Sequence, residues 1–405
     1  MTGNYNIPIA KPCFTGEETE LIAEVMKTGW VCQGPMVARF EEAVAKYTGA
    51  KHAVAVSSCT TALHLAMLVN GIGVGDDVIC PSYSFIATAN GIKHAGAEPQ
   101  FVDIDPCTGN IDIQATERFI LKNYDASMYN RATGNKLKGI LIVHQIGMPA
   151  DIDSFNDLAV KYGLILMEDS ACGIGSRYKG MPIGASGFVG TLSFHPRKVI
   201  SSGEGGMVLT NDEVISEKSR VLRAHGASVS DFARHKAAGA ITETYNVIGY
   251  NYRMTDLQAA IGIKQMEHLD SFIERRRSVA ARYNKAFGEM EEFELLTPPP
   301  YATLWNYQSY PLRLKNGGAE ERNNLMQQLQ SSGVSSRRGI PPIHKEPVYE
   351  RGLTLPNTES VSERTLFLPI YPQLTDDEVE HVISSVRSII RSSVPLRSPS
   401  VAPLK

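Results

Sequence analysis

The chain has 405 residues, 43% of them hydrophobic and 20% charged, with a net charge of −3 at pH 7, the balance of a folded water-soluble protein long enough for two domains. So small a charge gives no reason to expect nucleic acid as a partner, and no run of about 18 apolar residues is present to span a membrane. The six cysteines (Cys13, Cys32, Cys59, Cys80, Cys107 and Cys172) form no CxxC pair, which points to reduced thiols and no zinc site. MTGNYNIPIAKP lacks the regions of a signal peptide, so a cytoplasmic location is expected.

In chain order, strand-like and helix-like runs alternate. HAVAVSS (52–58) reads as a strand and TTALHLAMLVNG as the helix after it; DDVICPS (76–82) is a strand and ATANGIKHAG (87–96) a helix. PQFVDID (99–105) and KGILIVHQ (138–145) are strands, the second followed by the helical DIDSFNDLAVKYG. LILMED (164–169), GTLSFH (190–195) and GGMVLTND (205–212) complete the set. This alternation predicts an α/β fold with a mostly parallel sheet between helices, and apolar runs such as LILM suit strands buried on both faces. After residue 255 comes one long amphipathic helix, TDLQAAIGIKQMEHLDSFIERRRSVAARYNKAF, then Pro-rich turns and a helix DDEVEHVISSVRSII. The reading is a large domain over 1–265, a smaller α+β domain over 266–392, and a Ser/Pro-rich disordered tail over 393–405.

Ligand groups in open α/β sheets gather at the carboxyl ends of strands, and three such ends carry polar residues. SSCTTALHLAML (57–68) runs from a strand into a helix through small hydroxyl residues. It offers N–H groups and the positive end of a helix dipole to a phosphate, although the same residues are ordinary helix caps. LILMEDSACGIG (164–175) ends on Glu168 and Asp169, acids that suit a helix cap, a metal ligand or a catalytic group. SFHPRKVISSGEGGMVLT (193–210) puts Ser193 at a strand end and Lys198 in the next turn, where a solvated lysine is the plain reading. Together, a phosphate cradle, a carboxylate and a lysine on one sheet edge are what pyridoxal 5'-phosphate (PLP) requires. The carboxylate keeps the ring nitrogen protonated, and the amine bonds to the cofactor's aldehyde and later moves a proton. An arginine, always charged, could do neither.

From residue 7 to about 390 the chain resembles the DegT/StrS family of sugar aminotransferases, PLP enzymes of fold type I. The resemblance is carried by IPIAKP (7–12), GWVCQGPMVARFEEAVAKYTGAKHAVAVSS (29–58), PSYSFIATANGIKHAGAEPQFVDID (81–105), EDSACGIGSRYKG (168–180), SFHPRK with GEGGMVLTND (193–212), GYNYRMTDLQAAIG (249–262) and LPIYPQLTDDEVEHVISSVR (368–387). It implies a PLP-transferase fold with a mostly parallel seven-stranded sheet and a smaller C-terminal α+β domain. It further implies that Lys198 is the Schiff-base lysine, Asp169 the partner of the pyridine nitrogen, and Ser193 with the backbone of Cys59 and Thr60 the phosphate site. Phe85 matches the aromatic stacked on the cofactor ring, its alternative being a core aromatic. Asn251 matches a residue reaching the neighbouring subunit's cofactor, which makes a C2 homodimer with shared active sites the expected unit. Trp30, His344 and Tyr349 resemble positions lining a nucleotide-sugar pocket, against the plainer reading of packed aromatics and a surface histidine, and Arg338 reads as an anion contact for the same substrate. Glu204, Gly205 and Gly206 read as a turn between strands, and His144, His195 and Arg253 as neighbours of the cofactor. Two positions depart from the family: Cys59 replaces a glycine, narrowing the backbone freedom beside the phosphate, and Cys172 replaces a glutamine or histidine with a poorer hydrogen-bond donor.

The resemblance implies a PLP-dependent aminotransferase moving an amino group from L-glutamate to a keto-sugar, nucleotide-linked, in amino-sugar or polysaccharide biosynthesis. Pyridoxamine 5'-phosphate would be the intermediate form of the cofactor, and no metal is expected. Two rivals share the fold. One is a sugar dehydratase using the same cofactors, in which histidine takes the lysine's place and against which Lys198 argues. The other is a catalytically inactive regulatory or binding protein.

Overall fold

The computed structural model describes residues 6–187, 189–229, 234 and 242–393; the expected disordered tail, apart from its first residue, lies outside them. Seven strands build the main sheet: β1 (His52–Val56), β2 (Asp76–Pro81), β3 (Glu98–Val102), β4 (Lys136–Val143), β5 (Ile165–Asp169), β6 (Val189–Ser193) and β7 (Gly206–Thr210). Their spatial order is β1-β7-β6-β5-β4-β2-β3. Neighbours from β3 across to β6 pair parallel, and β7 runs antiparallel to both β6 and β1. Apolar residues alternate between the two faces, as a strand's period of two requires. Leu141 and Met167 enter one core, while Ile140, Ile142 and Leu166 enter the opposite one.

Helices α1 (Glu17–Thr28) and α2 (Pro35–Thr48) precede β1, and each ends on a glycine in the left-handed region, Gly29 and Gly49. Between strands lie α3 (Cys59–Val69), α4 (Ala87–His94), α5 (Ile113–Asn123) and α6 (Ile152–Tyr162); α7 (Glu213–Leu222) follows β7. Strand β3 stops at Val102, three residues before the stretch read from sequence, because the next residue turns outward. Asp103 accepts from the Asn357 and Thr358 N–H groups at the start of a distant helix and leaves the ladder.

Helix α8 (Asp256–Phe287) opens with a capping box between Thr255 and Gln258. Its first half packs Ala259, Ile263 and Phe272 with α1 and α2. Its second half sends Val279, Tyr283 and Phe287 into another core, so residue 266 falls inside a continuous helix that serves both. That second core covers a four-stranded antiparallel sheet of β8 (Phe293–Glu294), β9 (Tyr310–Leu314), β10 (Arg337–Arg338) and β11 (Thr365–Leu368), in the order β8-β9-β11-β10. Around it lie α9 (Ala319–Ser331), α10 (Pro356–Arg364) and α11 (Asp376–Ser393). Among the described residues no helix is long and apolar enough to cross a membrane.

Candidate active site

The turn from β1 into α3 is built by its hydroxyls. Ser58 caps the helix by accepting from the Thr61 N–H at 3.2 Å, and Thr61 accepts in return from the Ser58 N–H at 3.1 Å. The next N–H groups, of Cys59 and Thr60, open the helix where no acceptor exists within it. Cys59 turns its thiol inward, 3.7 Å from the Thr191 hydroxyl; burial, reinforced by the nearby Asp169 charge, pushes that thiol far up. The side chain that replaces a glycine is thus absorbed by the core. Gly206 pairs with Val56 on one side and Ser193 on the other, so Ser193 and the mouth of α3 converge on it. A Cβ there would overlap the Ser58 carbonyl and sit 2.6 Å from the Cys59 nitrogen. Gly206→Ala is therefore expected to push the helix mouth away from Ser193 and weaken retention of a phosphate-bearing ligand at least tenfold, about 1.4 kcal/mol, which equilibrium dialysis would read.

The two acids ending β5 point to opposite faces of the sheet and do different things. Glu168 is fully buried and accepts from the N–H groups of Gly184, Ser186 and Gly187 and from His144 Nε2 at 2.8 Å. The Ala150 N–H donates to His144 Nδ1, so Nε2 carries the hydrogen, and both nitrogens of His144 are committed to this buttress. Asp169 accepts from the Thr88 hydroxyl at 2.7 Å and from the Ala171 N–H at 3.1 Å, with Ser84 bonded to Thr88 behind it. Thr88 fixes the carboxylate's direction. A hydrogen bond to a charged group contributes about 1.5–3 kcal/mol to stability, so Thr88→Val should lower the unfolding midpoint as well as kcat, and Thr88→Ser should restore both.

Lys198 sits in a turn whose main chain is fixed at several points. Its own N–H bonds to the His195 carbonyl, and the Phe194 carbonyl accepts from Ser201 and Ser202. Its Nζ lies 3.1 Å from Cys172 Sγ. Burial opposes the ammonium, but Cys172, Cys59 and Asp169 together outweigh it and hold the amine above its ordinary pKa. Residues 305–308 brace both loops: Asn306 Nδ2 donates to the Cys172 carbonyl and Gln308 Nε2 to the Arg197 carbonyl.

The remaining residues divide. Phe85 is 66% exposed, which removes the core-aromatic alternative. Asn251 is exposed beside Arg253, whose Nε bonds to it at 3.3 Å. Trp30 is half-buried with its indole N–H on the Gln33 carbonyl, and Arg338 is exposed on β10. His344 is wholly buried, with Nδ1 on Ser82 and Nε2 on Glu359. Tyr349 is buried against Phe101 with its hydroxyl on Asn90. The polar atoms of His344 and Tyr349 are thus taken up inside the chain. His195 faces Glu204 at 4.0 Å, and the Glu204 carbonyl receives bonds from Ser202 and Gln258. Sequence reasoning missed Thr88, Ser84, Asn306 and Gln308; for Thr88 the signal was present in PSYSFIAT, a hydroxyl one turn behind Ser84.

The segment carrying Asn251 is tied to the cradle. The Ser57 N–H bonds to the Tyr252 carbonyl, and the Tyr252 hydroxyl bonds to His64 Nδ1 at 3.0 Å. Burial, with His94 beside it, pushes His64 down to about 4 from its ordinary 6.5. Its neutral form is native, so this contribution to stability is complete above pH 6.5 and is lost as pH falls toward 4. His64→Gln should flatten that part of the profile of unfolding midpoint against pH.

Helix-mouth N–H groups and the Ser193 hydroxyl suit a phosphate ester, the anchored Asp169 suits a ring nitrogen, and Lys198 suits an aldehyde. The glycine that lets the first two converge completes a donor set matching PLP. Comparison with known proteins agrees. A sequence model of the DegT/DnrJ/EryC1/StrS aminotransferase family matches residues 12–387. The spore coat polysaccharide biosynthesis protein SpsC of Bacillus subtilis is 35% identical, over 96% of this chain and 98% of its own. GDP-perosamine synthase of Escherichia coli O157:H7 is 34% identical, over 94% and 97%. The PLP form of Spr1654 from Streptococcus pneumoniae superposes with a TM-score of 0.86 at 25% identity, over 96% of this chain and all of that one.

Proposed function

The chain belongs to the DegT/DnrJ/EryC1/StrS aminotransferase family and is a PLP-dependent aminotransferase, and on that premise we propose that it carries an amino group from L-glutamate to a nucleotide-linked keto-sugar. The observation that carries the reading is the Lys198 amine set on the same sheet edge as the Thr88-anchored Asp169 and the Ser193–Gly206 cradle. When bound, PLP supplies an electron-withdrawing ring that accepts the electrons released at the donor's α-carbon. Asp169 would hold the ring nitrogen's proton; the N–H groups of Cys59 and Thr60 and the Ser193 hydroxyl would hold the phosphate, and Phe85 would lie against the ring. With the donor bound, the Lys198 Nζ would take the proton from that α-carbon, and with the sugar it would return one to the carbon receiving nitrogen. Such positioned proton transfer contributes typically about 10²- to 10⁴-fold.

A sugar acceptor is supported by the relatives, one named for spore coat polysaccharide biosynthesis and another for GDP-perosamine synthesis. Trp30 and Arg338, whose side chains reach solvent, are the residues proposed to meet the nucleotide portion; His344 and Tyr349 would shape that wall from behind. A homodimer is supported by apolar surface beside Asn251, where Val247 and Ile248 are 49% and 91% exposed and a second copy would cover them.

Purified protein given L-glutamate alone should lose its yellow absorbance and release 2-oxoglutarate. Adding keto-sugar nucleotides one at a time should restore the colour with the true acceptor and yield an amine by mass. Silence with glutamate overturns the donor; silence with every keto-sugar nucleotide overturns the acceptor.

A further inference from the structure

We propose that Cys172 and Lys198 are a modification site, joined under peroxide by a reversible sulfur–nitrogen bond that withdraws the amine from chemistry. The 3.1 Å separation of Cys172 Sγ and Lys198 Nζ is a contact across which a bond can form without rebuilding either loop. Both loops are braced by one short segment, with Asn306 on the Cys172 carbonyl, Gln308 on the Arg197 carbonyl, and the Gln308 N–H on Asn306 Oδ1. The thiol and the amine therefore stay together. Cys172 is half-buried, open enough for peroxide, whereas Cys59 is buried against Thr191 with its thiol pushed far up and is a poor nucleophile.

The chemistry balances with a hydroperoxide as the oxidant. The Cys172 sulfur attacks one peroxide oxygen, the O–O bond breaks, water leaves, and the sulfur, oxidised by two electrons, becomes sulfenic acid. Lys198 Nζ, held as an ammonium, first gives a proton to solvent; its lone pair then attacks that sulfur, the S–N bond forms, the S–O bond breaks, and the departing hydroxyl leaves as water with a second proton from nitrogen. Two thiol molecules reverse it: the first displaces the amine from sulfur and the second releases Cys172 as a disulfide of the two forms. It needs only the thiol and the amine, and it stands whether or not the sugar reading does.

The test uses the full chain loaded with pyridoxamine phosphate, which leaves the lysine amine free, treated with hydrogen peroxide and read by intact mass and peptide mapping without substrate. The expected result is a species about 2 Da lighter, the loss of two hydrogens, with the peptides containing residues 172 and 198 joined. A dithiol should dissolve the link and recover the activity lost with it, and loading with PLP, which engages the same amine, should remove the species. Cys172→Ser and Lys198→Arg should each abolish it. Cys172 stopping at sulfenic or sulfinic acid, pairing with Cys59, or remaining unmodified in the wild-type chain would each overturn the proposal.

Discussion

Lys198→Ala leaves a folded protein whose turnover falls by at least about 10²- to 10⁴-fold, the range a positioned proton-transfer group contributes. Nothing in the turn can take over. Arg197 is exposed and permanently charged, and Cys172 offers a thiol where a nucleophilic amine is needed. Folding should survive because the turn is held by main-chain atoms, chiefly the Phe194 carbonyl receiving Ser201 and Ser202 and the Arg197 carbonyl receiving Gln308. The unfolding midpoint should therefore move little. Borohydride should fix the cofactor onto the wild-type chain and not onto the variant, and a small primary amine in the buffer should restore part of the proton transfer. Turnover at the wild-type rate would remove Lys198 from the chemistry.

What was legible in the sequence was local. Strands buried on both faces must be apolar throughout, which is why LILM marks the parallel β5 and HAVAV marks the antiparallel edge strand β1, and why their order with helices between them predicts the sheet. Short edge elements give no such signal: β8 and β10 are two residues each, and α9 buries Arg322, Leu325 and Leu329 on an otherwise polar face. The same division holds at the site. Lys198, Ser193 and the start of α3 lie in motifs continuous along the chain. Thr88 meets Asp169 across 81 residues, Gln308 meets Arg197 across 111, and Asn306 meets Cys172 across 134. Contacts of that span are set by the closed fold, and only the pattern of a hydroxyl behind Ser84 hinted at any of them. His344 shows the converse. Its place in a polar, Pro-rich stretch reads as a surface loop, yet Ser82 and Glu359 satisfy both ring nitrogens and allow complete burial.

The adjacent acids of β5 give the other large effect. Glu168→Leu would leave the N–H groups of Gly184, Ser186 and Gly187 and the Nε2–H of His144 buried without an acceptor. Each such donor costs about 1–3 kcal/mol, so a loss of roughly 3–5 kcal/mol or more is expected, enough to prevent recovery of soluble protein at 37 °C. Glu168→Gln keeps one oxygen for Ser186 and Gly187 but turns an NH₂ toward Gly184 and His144, so its urea midpoint should fall between those of the wild type and the leucine variant. Burial alone would raise the Glu168 pKa, yet the His144 bond and the loop N–H groups pull it below the ordinary 4.5. The stability it contributes is therefore present above pH 4.5 and lost as the solution is made more acid, and Glu168→Gln should blunt that acid limb. Asp169→Asn supplies the contrast: the amide oxygen can keep the Ala171 N–H while its NH₂ donates to the Thr88 hydroxyl, which turns its own hydrogen to Ser84, so the midpoint should hold while turnover collapses. Because neighbouring side chains on a strand face opposite ways, one residue's shift in position separates the acid that holds the sheet's loops from the acid that faces the cofactor. The two variants should fail in opposite measurements, and if Glu168→Gln lost turnover at an unchanged midpoint, the roles assigned to the pair would be reversed.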